Sequence, residues 1–336
     1  MSTQRKAGAS STPKTAKPAH PPRVSPRDSL LDPIFSAIRK LAGKAHQDDA
    51  SAFASAFYRR MSEDEMPLHS ADGWAALAND LLDFARKRKP GTAILRIFHP
   101  MLKTHGWESS HTVLQIVNDD MPFLVDSVSM ALAEQGIGVH VLGHPLVQIS
   151  RDRSGKLTAV GEGASESVMH LEIDRQTPEG IARIEEILRG VLASVRNIVD
   201  DWRAMRDKMQ QVAADLATRR MPVPDAGRRE AQEFLRWAAN DHFTFFGYRE
   251  YQVRKRGGED VLVAVDGSGL GLLGGEDTGK TRSLKSLAAH YMQHSGSMDA
   301  LILTKTNARS AVHRPGYMDY IGVLSFDDKG RPVSEQ

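Results

Sequence analysis

The sequence predicts an α+β protein whose first module follows the order strand, helix, strand, strand, helix. Strand-like Thr112–Val117 is followed by a turn and by apolar residues at helical spacing from Leu124. Alternating apolar residues within 139–150 and again within 169–173 predict two more strands, and Pro178 opens a long helical stripe. This βαββα order is ferredoxin-like, although it lacks an obvious fourth strand.

The turn between the first strand and its helix contains Asn118, Asp119 and Asp120. Pro122 suits a first helical turn, and an aspartate just before it can cap free backbone N–H groups. Gly136 stands where the helix is expected to stop. These residues therefore define the loops at the two ends of the predicted helix.

Four segments are predicted. Residues 1–27 carry six Lys or Arg, no acidic residue and five Pro, so they predict a disordered basic tail. Residues 28–91 predict N-terminal helices, and 92–220 the βαββα domain with a long helical connector. Residues 221–336 predict a second, mixed α/β module that resembles a sensor domain and ends in open sequence.

The second module begins after two prolines at 221–225 that mark a boundary. Its predicted helices are Glu230–Ala239 and Ser283–Met292, and its predicted strands are Phe243–Val253, Val261–Val265, Ala300–Lys305 and Tyr320–Phe326. The strands favour antiparallel pairing.

The amino-acid composition argues against several classes of function. With 44 basic and 42 acidic side chains, the net charge of +2 gives no electrostatic argument for nucleic acid. The chain has no cysteine, which excludes disulfides and thiolate chemistry, and its 13 histidines show no pair at metal-ligand spacing with an acidic partner. No apolar run approaches the roughly 18 residues of a membrane span. The expectation is a cytoplasmic protein with no membrane partner and no metal site.

Two glycine patterns suggest nucleotide binding. GGEDTGKT at 274–281 fits the phosphate-loop pattern, but a glycine-broken segment precedes it and two acidic residues lie inside it. Gly269, Gly271 and Gly274 form G-x-G-x-x-G, but no helix is predicted directly after them. We predict no cofactor site in either pattern, and a P-loop nucleotidase stays an alternative.

Three other features have plain structural explanations. The basic run at 86–89 is expected in a last helical turn, where cations favour the helix dipole. The aromatic residues of 243–251 are expected in a core, because no basic groove accompanies them. His313 and Arg314 fit an anion site, a subunit contact or a turn equally well.

The chain also resembles a known family. NDDMPFLVDSV (118–128), GHP (143–145), ISRDRSG (149–155), NDHFTFFGYREY (240–251) and VHRPGYMDYIGVLSFDDKG (312–330) are similar to the N-terminal region of the large bacterial-type NAD-specific glutamate dehydrogenases. The similarity runs from about residue 94 to the last residue.

The resemblance implies an ACT-like regulatory segment, an N-terminal fragment of an enzyme that converts glutamate, NAD and water to 2-oxoglutarate, ammonia and NADH. NAD would serve the catalytic domain of the full-length protein, and this segment would be inactive alone, since no catalytic constellation is present. Implied partners are an amino-acid effector, the protein's own catalytic domain and a homo-oligomer. The implied ligand-binding candidates are Asn118, Asp119, Asp120 and Gly136. The alternative is a stand-alone amino-acid-binding module.

Overall fold

The computed structural model describes residues 26–44, 46–59, 68–218, 221–275, 282–284 and 299–336. The predicted disordered tail lies almost wholly outside the described residues. Most of the predicted helix Ser283–Met292 and all but the first two residues of the phosphate-loop pattern lie outside them as well.

Three helices open the described chain, as predicted: α1 (Pro26–Leu41), α2 (Gln47–Tyr58) and α3 (Ala71–Ala85). Ser70 caps α3, because its Oγ accepts a hydrogen bond from Gly73 N at 3.0 Å. The apolar stripes of the three helices face inward, and their buried members include Ile34, Ile38, Phe53, Phe57, Trp74, Leu77 and Leu81.

The prediction for the basic run at 86–89 is wrong. Helix α3 ends at Ala85, before the run begins. Arg88 is only 2% exposed, and its backbone N donates to Gly155 O at 2.9 Å. The helix dipole acts only within the last turn, so this buried cation needs other partners.

The first sheet has six strands: β1 (Ile94–Phe98), β2 (Thr112–Asp119), β3 (Val139–Gly143), β4 (Leu146–Arg151), β5 (Leu157–Val160) and β6 (Ala164–Ile173). Its order is β1-β2-β6-β4-β5, with β3 also paired to β6, and every pair is antiparallel. Strand β1 precedes the βαββα unit and pairs with the outer side of β2. It forms one edge of the sheet.

Strands β3 and β4 lie end to end along β6. His144 and Pro145 separate them, as predicted, since proline cannot donate to a ladder. Val139 is opposite Ile173, and Leu146 is opposite Ser167.

The helix after β2, α5 (Leu124–Glu134), begins differently from the prediction. Pro122 lies in the turn before the helix, and the N-cap is Phe123, at φ +70° and without a side-chain cap. The aspartate cap is therefore wrong. Gly136, at φ +70°, follows the end of the helix as predicted.

Helices cover both faces of the sheet. Val113 and Val117 of β2 pack with α1–α3, whereas Leu114 and Ile116 pack with α5 and with α6 (Pro178–Thr218). Antiparallel sheets often leave one face to solvent. Here the N-terminal helices close that face, so the predicted boundary at residue 91 falls within one hydrophobic core.

Helix α6 has 41 residues and joins two cores, as the prediction of a helical connector requires. At 1.5 Å per residue it is about 60 Å long. Leu188 and Val195 belong to the first core. Val212 and Leu216 belong to a second core with Leu235.

The short helix α4 (Leu102–His105) lies between β1 and β2 in the first part of the chain. The second part begins after α6 with α7 (Asp225–Trp237) and a π-turn at Ala238–His242. Its strands are β7 (Gly247–Tyr248), β8 (Tyr251–Arg256), β9 (Glu259–Ala264), β10 (Leu270–Gly271), β11 (Arg282–Ser283), β12 (Leu301–Arg309), β13 (Tyr317–Phe326) and β14 (Pro332–Glu335). Strands β7 and β10 pair with each other, and the others form an antiparallel sheet in the order β11-β9-β8-β14-β13-β12.

Three details of this part differ from the prediction. Residues 243–246 are not in a strand, and Ser283 lies in β11 rather than at the start of a helix. The expected open sequence at the end contains β14, which lies in the middle of the sheet. Its pairing depends on β8 and β13, which no local pattern in four residues can show.

Candidate functional site

The residues predicted to form a ligand loop lie in a network of charges. Asn118 and Asp119 are the last two residues of β2 rather than part of a turn, and Asp120 follows the strand. Asp119 Oδ1 accepts from Arg88 Nη2 at 2.8 Å, and Asp119 Oδ2 accepts from Arg196 Nη2 at 2.6 Å and from Gly91 N at 2.9 Å. The same Arg196 nitrogen donates to Asn118 Oδ1 at 2.8 Å. Burial opposes ionisation of Asp119, but the two arginines outweigh it and lower the pKa of this carboxyl.

A second carboxylate completes the network. Glu166 of β6, 2% exposed, accepts from Arg151 Nε at 2.6 Å and Nη2 at 2.8 Å, and from Arg88 Nε at 3.0 Å. Burial raises the pKa of Glu166, but hydrogen bonds from Arg151 and Arg88 more than reverse this and lower it. We call Arg88, Arg151, Arg196, Asp119 and Glu166 the arginine network.

The other two ligand candidates lie elsewhere. Asp120 is exposed, and its Oδ2 accepts from Ser165 Oγ at 3.2 Å. Gly136 precedes β3, whose first residue is opposite Ile173, whereas Asp119 is opposite Glu166. Seven residues of β6 separate these positions, which is roughly 23 Å at 3.3 Å per residue.

This geometry gives the four candidates different roles. The structure brings Asn118 and Asp119 together and directs both at Arg196, whereas Gly136 lies at the opposite end of the sheet. Both carboxylate oxygens of Asp119 already accept hydrogen bonds from strong donors. An ammonium group could bind Asp119 only by displacing a guanidinium, so Asp120 is the carboxylate of the three-residue loop that is open to solvent.

A cluster of histidines on the same face of the sheet, further along β6, was missed by the sequence patterns. Glu172 Oε1 lies 2.8 Å from His69 Nε2 and 3.7 Å from His170 Nε2, and Oε2 lies 3.4 Å from His111 Nδ1. Ser109 Oγ donates to the same carboxylate. The cluster is a buried carboxylate surrounded by three imidazoles from three separate segments of the chain.

The titration of this cluster follows from burial. Burial raises the pKa of Glu172, but hydrogen bonds with His170, His69 and Ser109 outweigh that effect and hold the pKa well below the usual range. Burial lowers the pKa of His170, against the attraction of Glu172. His170 and Glu172 alternate with apolar residues on β6. This alternation was the one feature of the sequence which indicated that the two side chains lie on the same face of the sheet.

Within the residues that the structure describes, no group of three or more His, Cys, Asp or Glu side chains has an arrangement that could hold a metal ion. In the same part of the chain, no helix is long and apolar enough to cross a bilayer.

A cavity of about 1000 Å³ lies where α6, the segment 242–251 and the β12–β13 hairpin meet. We call it the aromatic cavity. Its lining includes Met205, Met209, Val212, Phe243, Phe245, Phe246, Tyr248, Tyr251, Tyr317 and Ile321. The aromatic residues of 243–251 were predicted to lie in a core. Phe246 packs against the first core, but it also lines this cavity.

The loop between β12 and β13 joins the two parts of the molecule. Val312 is fully buried in the first core, and His313 N donates to Ser127 Oγ of α5 at 3.0 Å. His313 has φ +70° and contacts Phe123, the other residue in this conformation at the junction, with ring centroids 4.8 Å apart. Of the three explanations that the sequence left open, the structure supports a turn that docks on the same chain.

The G-x-G-x-x-G glycines serve packing. A Cβ on Gly271 would lie 2.4 Å from Phe246 O, and a Cβ on Gly269 would lie 1.9 Å from Leu273 O. The N–H of Gly271 donates to Asp201 Oδ2 at 2.7 Å. A carboxylate of α6 thus takes the position that a dinucleotide phosphate would need. Lys280 and Thr281 of the phosphate-loop pattern lie outside the described residues.

Comparison with known proteins gives one consistent result. Residues 53–188 match the family model described as glutamate dehydrogenase, ACT1 domain. The chain is 31% identical over 326 residues to an NAD-specific glutamate dehydrogenase of Halomonas elongata, covering 93% of this chain and 20% of that protein. It is 30% identical over 313 residues to one of Pseudomonas aeruginosa, covering 90% and 19%.

A third relative, an NAD-specific glutamate dehydrogenase of Mycobacterium tuberculosis, is 29% identical over 181 residues, covering 50% of this chain and 11% of that protein. The chain spans about a fifth of the length of the first two relatives. The family-model match extends from α2 into α6 and so contains the histidine cluster and all of the arginine network except Arg196.

Proposed function

The chain belongs with the NAD-specific glutamate dehydrogenases through its ACT1 domain, and from that premise we propose that it is a regulatory and assembly segment of such an enzyme. The complete enzyme would oxidise glutamate with NAD and water to 2-oxoglutarate, ammonia and NADH. The finer fold proposal is an ACT-like, ferredoxin-like unit with β1 in the place of the fourth strand, followed by a second sensor-like module.

The observation that carries the proposal is the position of α6. One end of this helix packs in the core that contains the ACT1 match, and the other end packs in the second core. A long helix is stiff along its axis, so a change at the first core can reach the second as a shift or rotation of one element. This suits a segment that passes a signal onward better than one that performs chemistry.

The first part of the test is catalytic. The purified chain should not reduce NAD in the presence of glutamate, and it should not hydrolyse ATP. Glutamate-dependent NADH formation by the purified chain, at a rate that follows its concentration through purification, would overturn the regulatory role.

The second part of the test is ligand binding by an amino-acid effector. A ligand at one hundred times its dissociation constant stabilises a folded protein by about 2.7 kcal/mol. Thermal melts in each of the twenty amino acids should identify an effector by a raised melting temperature. Asp120→Asn should weaken that response, because Asp120 is the solvent-open carboxylate of the loop. If no amino acid shifts the wild-type melt, the loop is structural only.

Assembly as a homo-oligomer is part of the proposal. Strand β12 pairs with β13 and, among the described strands, with no other, and its Leu303 is 58% exposed. Unpaired strand edges are ready templates for pairing with another chain. Sedimentation equilibrium of wild type and Leu303→Lys tests this, because a charge on the edge should shift the protein toward monomer.

A further inference from the structure

The aromatic cavity has features that its packing role does not require. Its volume of about 1000 Å³ is at the upper end of the range for small-molecule sites. Three of the lining side chains, Met205, Met209 and Val212, come from α6, and the aromatic segment lies across from the β12–β13 hairpin. Methionine and aromatic side chains together accommodate flat apolar groups, because thioethers adapt in shape and contact ring edges favourably.

Two charged side chains around the cavity form an ion pair with each other, and a third has no such partner. Asp319 is the one carboxylate side chain among the described lining residues, and it binds Lys305 at 2.6 Å. Arg314 also lines the cavity, is exposed, and has no side-chain hydrogen bond or ion pair to any described residue. The cavity therefore presents an unpaired guanidinium beside an apolar lining.

A second polar group at the cavity lacks a partner. The Nδ1 atom of His313 is buried and makes no hydrogen bond within the described residues. The nearest acid, Asp126, lies 3.8 Å away, beyond hydrogen-bonding distance. Buried polar atoms are nearly always satisfied in folded proteins, so an orphan next to a cavity points to a missing hydrogen-bonding group.

We propose that the aromatic cavity binds an aromatic carboxylate, with the ring among the methionine and phenylalanine side chains and the carboxylate on Arg314, beside His313. Guanidinium groups bind carboxylates through two parallel N–H donors, which fixes orientation as well as charge. The site lies outside the family-model match at 53–188 and does not depend on the proposed regulatory function.

The position of the site connects it to the rest of the molecule. The loop that carries Arg314 also carries Val312, which is buried in the first core, and α6 lines the cavity with three side chains. A bound ligand would therefore contact both elements that join the two parts of the chain. Binding should raise the melting temperature of the whole chain.

The test uses 2-naphthoate as the probe and 2-naphthylmethanol as its uncharged counterpart. Titration calorimetry and naphthalene fluorescence anisotropy should give a dissociation constant for 2-naphthoate below about 1 mM, and one about tenfold weaker for the alcohol. Absence of 2-naphthoate binding at that concentration, or equal affinity for the two probes, would overturn the proposal.

Two variants locate the site. Arg314→Gln should weaken 2-naphthoate about tenfold and leave the alcohol unchanged, because only the charge-assisted bonds are lost. The matched control is Arg256→Gln, an exposed arginine at the β8–β9 turn, which should change neither affinity. Equal effects of the two substitutions would mean that the probe binds by net charge alone, and the site would be rejected. The Arg314 side chain makes no hydrogen bond or ion pair to a described residue, so this variant should keep the wild-type melting temperature.

Discussion

At the scale of single residues, Asp119 and Asp120 show how far sequence reasoning reaches. The sequence predicted a turn from Asn118 to Asp120 that could bind an ammonium group, but β2 continues through Asn118 and Asp119, and only Asp120 follows the strand. The partners of Asp119 are 31 and 77 residues away in the chain, in Arg88 and Arg196. No local pattern shows such pairing, and for the same reason the buried position of Arg88 within a basic run could not be predicted.

The first prediction separates the two aspartates. Asp119→Asn should lower the free energy of unfolding by about 2 kcal/mol, because Arg88 and Arg196 lose a charged acceptor in a partly buried site. Asp120→Asn is the matched control and should change it by less than about 0.5 kcal/mol. Urea unfolding measures both. Equal effects would show that the arginine network does not stabilise the fold.

The second prediction concerns acid. The pKa values of Asp119, Glu166 and Glu172 are lower in the folded chain than their usual values. The folded state therefore binds fewer protons than the unfolded state, and stability is present above the unfolded pKa values and lost as pH falls through the folded ones. Near neutral pH, the contribution of these three carboxyl groups to the free energy of unfolding should not change with pH. Below about pH 5, the free energy of unfolding should decline.

The test of this pH dependence is Glu172→Gln. The variant should be less stable than wild type at pH 7, because His69 and Ser109 lose a charged acceptor. Its stability should decline less steeply than that of wild type between about pH 5 and 3, because one depressed carboxyl is gone. Parallel curves for the two proteins would show that Glu172 is not a source of the acid sensitivity.

At the scale of elements, periodicity located the long elements and missed the short ones. Helices α1–α3, α5 and α6 and strands β2 and β6 carry enough repeats to be read directly. Strands β5 and β14 have four residues each, and β14 begins with proline. Their conformation is set by neighbouring strands, so it follows from the fold rather than from their own sequence.

The third prediction uses two glycines in different elements. Gly190 is an exposed residue within α6, and a Cβ there would meet nothing within 4 Å. Gly190→Ala should stabilise the chain by about 0.5–1 kcal/mol, because alanine has the higher helix propensity. Gly271→Ala should destabilise it, because φ is +59° and a Cβ would lie 2.4 Å from Phe246 O. Thermal and urea unfolding should move in opposite directions for the two variants.

At the scale of the whole molecule, two connections join the two parts of the chain. Helix α6 contributes side chains to both cores, and Val312, from the β12–β13 loop, is fully buried in the first core. The predicted division at residues 220 and 221 lies between the end of α6 at Thr218 and the start of α7 at Asp225. The sequence could not show that the second part returns to the first, because Val312, His313 and Phe246 reach the first part from short segments without a periodic pattern.

The last prediction tests this return contact. Val312→Ala should cost on the order of 2 kcal/mol, because it removes buried methyl groups from a packed core. Unfolding can be followed at Trp107, which packs with α1–α3 against the first sheet, and at Trp237, the last residue of α7, through variants that keep only one tryptophan. If the two parts unfold together, Val312→Ala shifts both transitions equally, although the residue belongs to the second part in sequence. The exposed Val333→Ala should shift neither. A shift seen only at Trp107 would mean that the first core opens by itself and that the loop contact does not couple the two parts.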